Sequence, residues 1–272
     1  MTFQTPHYGI PELLGWCRTG HLQLPDFQRA YKWDDERIRA LLVTIVRGHP
    51  MGVLMTLETG GQHVRFKPKP VAGAPTATAE PSLLLLDGQQ RTTSLYQALT
   101  GDGVVDTEDS RHKRMSRRYF LDIAKCLGTP KDQDDAVISV PADGRITEDF
   151  GRIVTLDLST SQRQQERGIM PFTELFSSTS ATTWLLSYMN ALGPEGVSER
   201  SRIFAEFNSN ILTPLLGYKI PAIQLASSTS KEAVATVFEK VNSGGLPLYV
   251  FELLTAIFAG DATYYEEHGT DF

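Results

Sequence analysis

The residues best suited to chemistry are Asp87-Gly88-Gln89-Gln90-Arg91-Thr92-Thr93, which directly follow the aliphatic run Leu83-Leu84-Leu85-Leu86. Leu95, Ala98 and Leu99 share one helical face immediately afterwards, so a buried strand is expected to turn into a helix across Asp87-Gly88. Such a junction offers free backbone N–H groups and the positive end of a helix, which suit phosphate. Arg91 can add a bidentate contact, and Gly88 lets an anion approach the backbone. Asp87 can hold Mg²⁺ or orient a water, while Gln89 and Gln90 can position a nucleophilic water or read a base edge. The plainer alternative is that Asp87 only caps the helix and Gln89 to Arg91 form a solvated first turn.

Three further clusters carry polar or cationic groups. Leu24-Pro25-Asp26-Phe27-Gln28-Arg29-Ala30-Tyr31-Lys32-Trp33 combines an amide, two cations and three aromatic rings, a set that can stack on a base and contact phosphate, or simply anchor the segment in the core. Arg111-His112-Lys113-Arg114, with Arg117 and Arg118, is the one basic run, either a grip on a nucleic-acid backbone or a solvated loop. Asn242-Ser243-Gly244-Gly245 reads as a helix end and turn that can also bring backbone close to a ligand.

Several chemistries are excluded. No Gly is followed by Lys and no G-x-G-x-x-G follows a strand, which removes Walker and Rossmann phosphate sites. The six histidines form no H-E-x-x-H or Cys/His cluster, and no G-x-S-x-G elbow occurs. The two cysteines, Cys17 and Cys126, match neither a zinc spacing nor a disulfide framework and read as reduced structural thiols. With 26 basic and 32 acidic residues the net charge is −6, so any nucleic-acid contact must be local. No basic n-region leads into an apolar segment, and no apolar run is long enough to span a bilayer, so a cytoplasmic protein without a membrane partner is expected.

The elements that must position these groups follow from periodicity. Residues 34–48 carry Ile38, Leu41, Leu42, Ile45 and Val46 at helical spacing, with Asp34 or Asp35 placed as cap. Residues 53–57 and 82–86 read as strands of one sheet, and 59–81, rich in Gly, Pro, Ala and Thr, as a long mobile loop without which the core closes. Residues 119–123 and 136–140 suggest a hairpin. The second half turns helical over 181–192, 198–212, 231–242 and 250–258, with Tyr249, Phe251 and Phe258 as helix core, interrupted by a strand over 219–225. At 272 residues and 41% hydrophobic side chains, one large or two ordinary domains are available without disulfide or metal support.

The order Phe27-Gln28-Arg29-x-Tyr31-x-Trp33, Pro50-Met51-Gly52, Leu86-Asp87-Gly88-Gln89-Gln90-Arg91-Thr92-Thr93-Ser94-Leu95 and Phe238-x-x-x-Asn242-Ser243-Gly244-Gly245-x-Pro247-Leu248 resembles the GmrSD-type N-terminal domain family, a ParB/sulfiredoxin-like NTPase domain. The resemblance runs over about residues 22–259. It implies an α/β (α+β) fold: a ParB-like core with a small mixed sheet over 1–170, and a mainly helical extension over 171–272 that completes the same domain. It further implies binding and hydrolysis of a nucleoside triphosphate, GTP or a related NTP, with Mg²⁺ or Mn²⁺, in anti-phage restriction. Members of this family act on glucosylated hydroxymethylcytosine DNA or respond to phosphorothioate DNA, and they join this domain to a C-terminal HNH-like nuclease, a module not visible in these residues.

Carried over by position, Asp87, Gln89, Gln90 and Arg91 are expected to be catalytic, with Asp87 also the metal ligand. Gln28, Arg29, Gly88, Thr92, Thr93, Asn242 and Gly244 are expected to bind nucleotide. Tyr31, Lys32, Trp33, Arg111, Lys113, Arg114 and Arg117 are expected to contact modified double-stranded DNA. Where sulfiredoxin has G-C-H-R this chain has Gly88-Gln89-Gln90-Arg91, so thiol phosphoryl chemistry lacks its cysteine. The alternatives are a non-enzymatic reader of modified DNA or a weak ParB-like nuclease, and self-association into a homo-oligomer stays open.

Overall fold

Burying four consecutive leucines requires apolar cover on both faces of the strand that carries them, because side chains alternate along a strand. Leu83, Leu84, Leu85 and Leu86 are all buried in the computed structural model, which describes residues 3–28, 30–61, 66–76, 80–230, 232–234 and 236–237. Chain order begins β1 (Phe3–Gln4), β2 (His7–Gly9), α1 (Ile10–Thr19), β3 (Leu22–Pro25) and α2 (Asp35–Val46). It continues through β4 (Leu54–Glu58), β5 (Pro68–Lys69), β6 (Leu83–Asp87), α3 (Gln89–Leu99), β7 (Val105–Glu108) and β8 (Arg114–Asp122). Short helices α4 (Ile123–Cys126) and α5 (Pro130–Asp134) lead to β9 (Val137–Pro141), β10 (Arg145–Glu148) and β11 (Ile153–Asp157). The last described third holds α6 (Ser161–Arg167), β12 (Ile169–Pro171), α7 (Phe172–Leu175), α8 (Ser178–Asn190), α9 (Val197–Phe207), α10 (Thr213–Leu216) and β13 (Lys219–Leu225).

The central sheet is mixed, in the order β1-β13-β4-β6-β3-β5, with β2 also on β13. β13 runs parallel to β4 and β3 parallel to β6, while β4 and β6 are antiparallel. The late strand β13 thus lies inside a sheet built mostly from the first ninety residues. Leu54, Leu83 and Leu85 face a large core shared with α1, α2 and α3. Met55, Leu57, Leu84, Leu86 and Leu225 face the other way, onto Phe66 and Val234. Each buried leucine contributes about 1.5–3 kcal/mol, so two-sided cover anchors β6 firmly.

A second sheet, β12-β8-β7 with β9 on β8, shares the large core through Val105, Tyr119, Leu121 and Val137, and β10 and β11 form a separate hairpin. Asp34 caps α2 through the Arg37 amide at 2.8 Å. Both cysteines are buried and unpaired, and burial pushes the Cys17 thiol up to about 12.

Two expectations need correction. Residues 59–81 are more than a loop: β5 pairs with β3, and Phe66 and Val71 are buried in the two cores. The basic run is only partly a loop, since Arg114, Arg117 and Arg118 lie on β8, which starts earlier and is longer than the hairpin strand read from the sequence. Arg29, most of the helix expected over 231–242, the helix over 250–258 with Tyr249, Phe251 and Phe258, and the turn with Asn242 and Gly244 lie outside the described residues.

Candidate functional site

β6 ends at Asp87 and α3 begins at Gln89, and the single residue between them, Gly88, has φ +98° and ψ 11°. That left-handed backbone favours glycine, and a Cβ built there would sit 2.3 Å from Leu54 Cδ2. The elbow is therefore fixed both by conformation and by its contact with β4. Among the described residues no side chain caps α3, whose first intrahelical bond is Thr92 N to Gly88 O at 2.9 Å. The amides of Gln90 and Arg91 lie in that first turn, ahead of the first intrahelical bond.

Arg91 reaches back across the elbow. Its Nη2 donates to Asp87 Oδ2 at 3.0 Å and to Val53 O at 2.9 Å, and its Nη1 donates to Met51 O at 3.0 Å. Gly52, at φ +100°, lets the backbone fold around the guanidinium, since a Cβ there would lie 2.3 Å from Nη1. The side chains of Arg91 and Asp87 remain 18% and 27% exposed, so the pair is reachable from solvent. Arg91 therefore holds the Pro50-Met51-Gly52 segment and Asp87 in one arrangement, a structural task that its charge alone did not announce.

A strap made of residues 26–28 and 30–33 crosses the start of α3. Gln28 is 5% exposed and donates from Nε2 to Leu86 O at 2.6 Å. Lys69 Nζ donates to Asp26 O at 2.9 Å and Gln28 O at 2.5 Å, and burial lowers its pKa. Gln90 spans the strap from beneath: Oε1 accepts from the Lys32 amide at 2.9 Å and Nε2 donates to Ala30 O at 3.3 Å. Ser94 Oγ donates to Gln90 O at 2.9 Å and accepts from Tyr31 Oη at 2.8 Å, and burial raises the Tyr31 hydroxyl's pKa. Thr107 Oγ1 fastens the far end at Trp33 O, 2.6 Å away.

The structure thus brings Gln28, Asp87, Gly88, Gln90 and Arg91 together. Gln89 is mostly buried beside them and is itself engaged. Thr92 and Thr93 are completely buried, so in this structure they present no surface to a nucleotide and act as packing residues. Both ends of the Gln90 carboxamide are taken by the strap, which leaves it a positioning group.

The strap residues Tyr31, Lys32 and Trp33 also line a cleft of about 1580 Å³, together with Gln97, His112 and Arg114 among others. The aromatic segment and the turn between β7 and β8 therefore meet, although 80 residues separate them. Arg111 and Lys113 are exposed on the same turn. Arg117 is placed differently: it donates to Ser139 Oγ and O, both at 2.9 Å, and faces Asp35 at 3.8 Å, so it braces β8 against β9 and α2. Lys69 and Gln97 had no motif to mark them, since only the fold places them here. Among the described residues no group of three or more His, Cys, Asp or Glu side chains gathers to hold a metal, and no helix is long and apolar enough to cross a membrane.

The chain is similar to a Methanocaldococcus jannaschii protein described only as uncharacterized, with 28% identity over 247 residues; the match covers 88% of this chain and 39% of that protein. It spans well under half of that relative's length. The sequence model of the family described as GmrSD restriction endonuclease, N-terminal domain, matches residues 12–259, which include the elbow, the strap and all of the cleft's lining but Pro11. With nearly the whole chain matched, and with the mixed α/β architecture in place, the chain belongs to the GmrSD restriction endonuclease N-terminal domain family.

Proposed function

We propose that the chain is the nucleoside-triphosphate-hydrolysing domain, using GTP or a related NTP, of a restriction effector that couples recognition of modified DNA to a C-terminal HNH-like nuclease. The observation that carries this reading is the Gly88 elbow, which gathers an uncapped helix start, a carboxylate and a guanidinium at the end of one buried strand. The first-turn amides of α3 would hold phosphate oxygens, and Arg91 would keep Asp87 aimed while balancing negative charge. Gln89 would orient the attacking water, and Gln90 would hold the strap across the pocket.

Among the described residues Asp87 is the one carboxylate at the elbow, which fits Mg²⁺ or Mn²⁺ arriving with a triphosphate whose own oxygens complete the shell. Such an ion supplies charge neutralisation on the phosphates when bound. The test is phosphate release from GTP, ATP, CTP and UTP with Mg²⁺, with and without glucosylated or phosphorothioate DNA. Release that rises with modified DNA supports the reading, and no release with any of the four overturns it.

A second reading, a DNA-modification reader that is non-enzymatic within these residues, is favoured by the cleft that joins Tyr31, Lys32 and Trp33 to Arg114. Salt-dependent binding of modified over plain duplex without nucleotide would support it.

A further inference from the structure

We infer that the cleft beside the strap receives a single unpaired nucleobase, turned out of a duplex, rather than the phosphate backbone; this rests on the reading of the chain as a DNA-binding restriction domain. Charge is the first reason. Arg18, Lys32 and Arg114 border the cleft, but so do Asp102, Asp106 and Glu108. A polyanionic backbone laid along such a wall meets as many carboxylates as cations, whereas a neutral base does not.

The chemistry of the walls is the second reason. Tyr31, Trp33 and Phe176, each half-buried, supply aromatic surface, the kind on which bases stack. Gln97 supplies an edge: its Nε2 donates to Ala72 O at 3.0 Å, which fixes the carboxamide, and its buried Oε1 has no hydrogen-bond partner among the described residues. That oxygen is covered in the free protein, so a base must part the wall around it before its exocyclic amino group can reach this fixed acceptor.

Size is the third reason. At about 1580 Å³ the cleft exceeds the roughly 300–1,000 Å³ of ordinary small-molecule pockets, so it has room for a base with its sugar and a substituent while the chain continues outside. Lys32 and Arg114, both exposed, would then contact the flanking phosphates. None of Gln28, Asp87, Gly88, Gln90 and Arg91 lines the cleft, so this pocket is distinct from the one assigned to triphosphate.

Turning out a base costs less where it has no pairing partner. The test therefore compares binding, by fluorescence anisotropy across a salt series, of a fully paired duplex and of the same duplex carrying one unpaired base. The expected result is about tenfold tighter binding of the second, since part of the unpairing cost is spared. Gln97→Leu should erase that preference, and so should Met115→Trp, which crowds the cleft from a strand position that tolerates an aromatic ring. Arg114→Gln should weaken both duplexes by the same factor and lower the salt slope by about one. Equal binding of the two duplexes overturns this inference but leaves the DNA-binding reading intact. Binding of neither duplex, or of free deoxynucleoside monophosphates alone, overturns both.

Discussion

Arg91 and Asp87 sit four residues apart on either side of a glycine, and their side chains meet at 3.0 Å because Gly88 turns the strand into the first turn of α3. The same guanidinium holds the Met51 and Val53 carbonyls. One residue thus ties the end of β6, the start of α3 and the segment leading into β4.

Arg91→Lys keeps the charge but replaces a planar fork by a point charge that cannot span three acceptors. Hydrogen bonds from charged groups contribute about 1.5–3 kcal/mol, so stability should fall by about that much in urea unfolding. Turnover should fall about 10²-fold, since the carboxylate loses its aim. Equal stability to the parent would refute the structural role.

Gly88→Ala puts a methyl group where Leu54 Cδ2 already lies and forces a left-handed alanine. Overpacking costs about 1–3 kcal/mol and the backbone about 1–2 kcal/mol more. Thermal unfolding should show a loss of several degrees or a failure to fold. An unchanged midpoint would mean that the elbow is not built as described.

Gln90→Leu removes both bonds to the strap without removing bulk. Amide exchange of Lys32, whose N–H is held by Gln90, should quicken at least tenfold, and DNA binding should weaken more than basal hydrolysis. Loss of hydrolysis with unchanged Lys32 exchange would return Gln90 to a direct role in water positioning.

Asp157 predicts an acid dependence in the β10–β11 region. The Ser159 hydroxyl at 2.6 Å and its backbone N–H at 3.0 Å hold the carboxyl down to about 2, with Arg145 and Arg163 adding to the effect. Because the folded value lies below the unfolded value of about 3.9, its stabilisation is complete above about pH 4 and is lost as pH falls through about 2. Asp157→Asn should therefore be less stable than the parent at neutral pH and approach it below about pH 2, as read from urea midpoints at each pH. A difference that persists at the lowest pH would contradict this.

The sequence makes the buried strand, the glycine elbow and the amphipathic helices readable, because each depends on local periodicity or on one special residue. Lys219–Leu225 is readable as a strand for the same reason. Residues 59–81 mislead, because β5 is only two residues long and Phe66 and Val71 are isolated apolar residues in a polar stretch. Arg117 misleads because its partners, Ser139 and Asp35, are far away in sequence and nothing in a basic run says which member turns inward. The cleft is not readable at all. It is assembled from α1, the strap, α3 and the turn between β7 and β8, and Gln97 acquires meaning only once those elements meet.

The most direct test of the hydrolytic reading is steady-state phosphate release by Asp87→Asn, which keeps size and shape while removing the carboxylate's charge. Urea unfolding of the same sample verifies that the fold is retained. Turnover is expected to fall to the level without protein while the folded state persists. Turnover equal to the parent, in a folded variant, would contradict the claim that the carboxylate at the Gly88 elbow carries the chemistry.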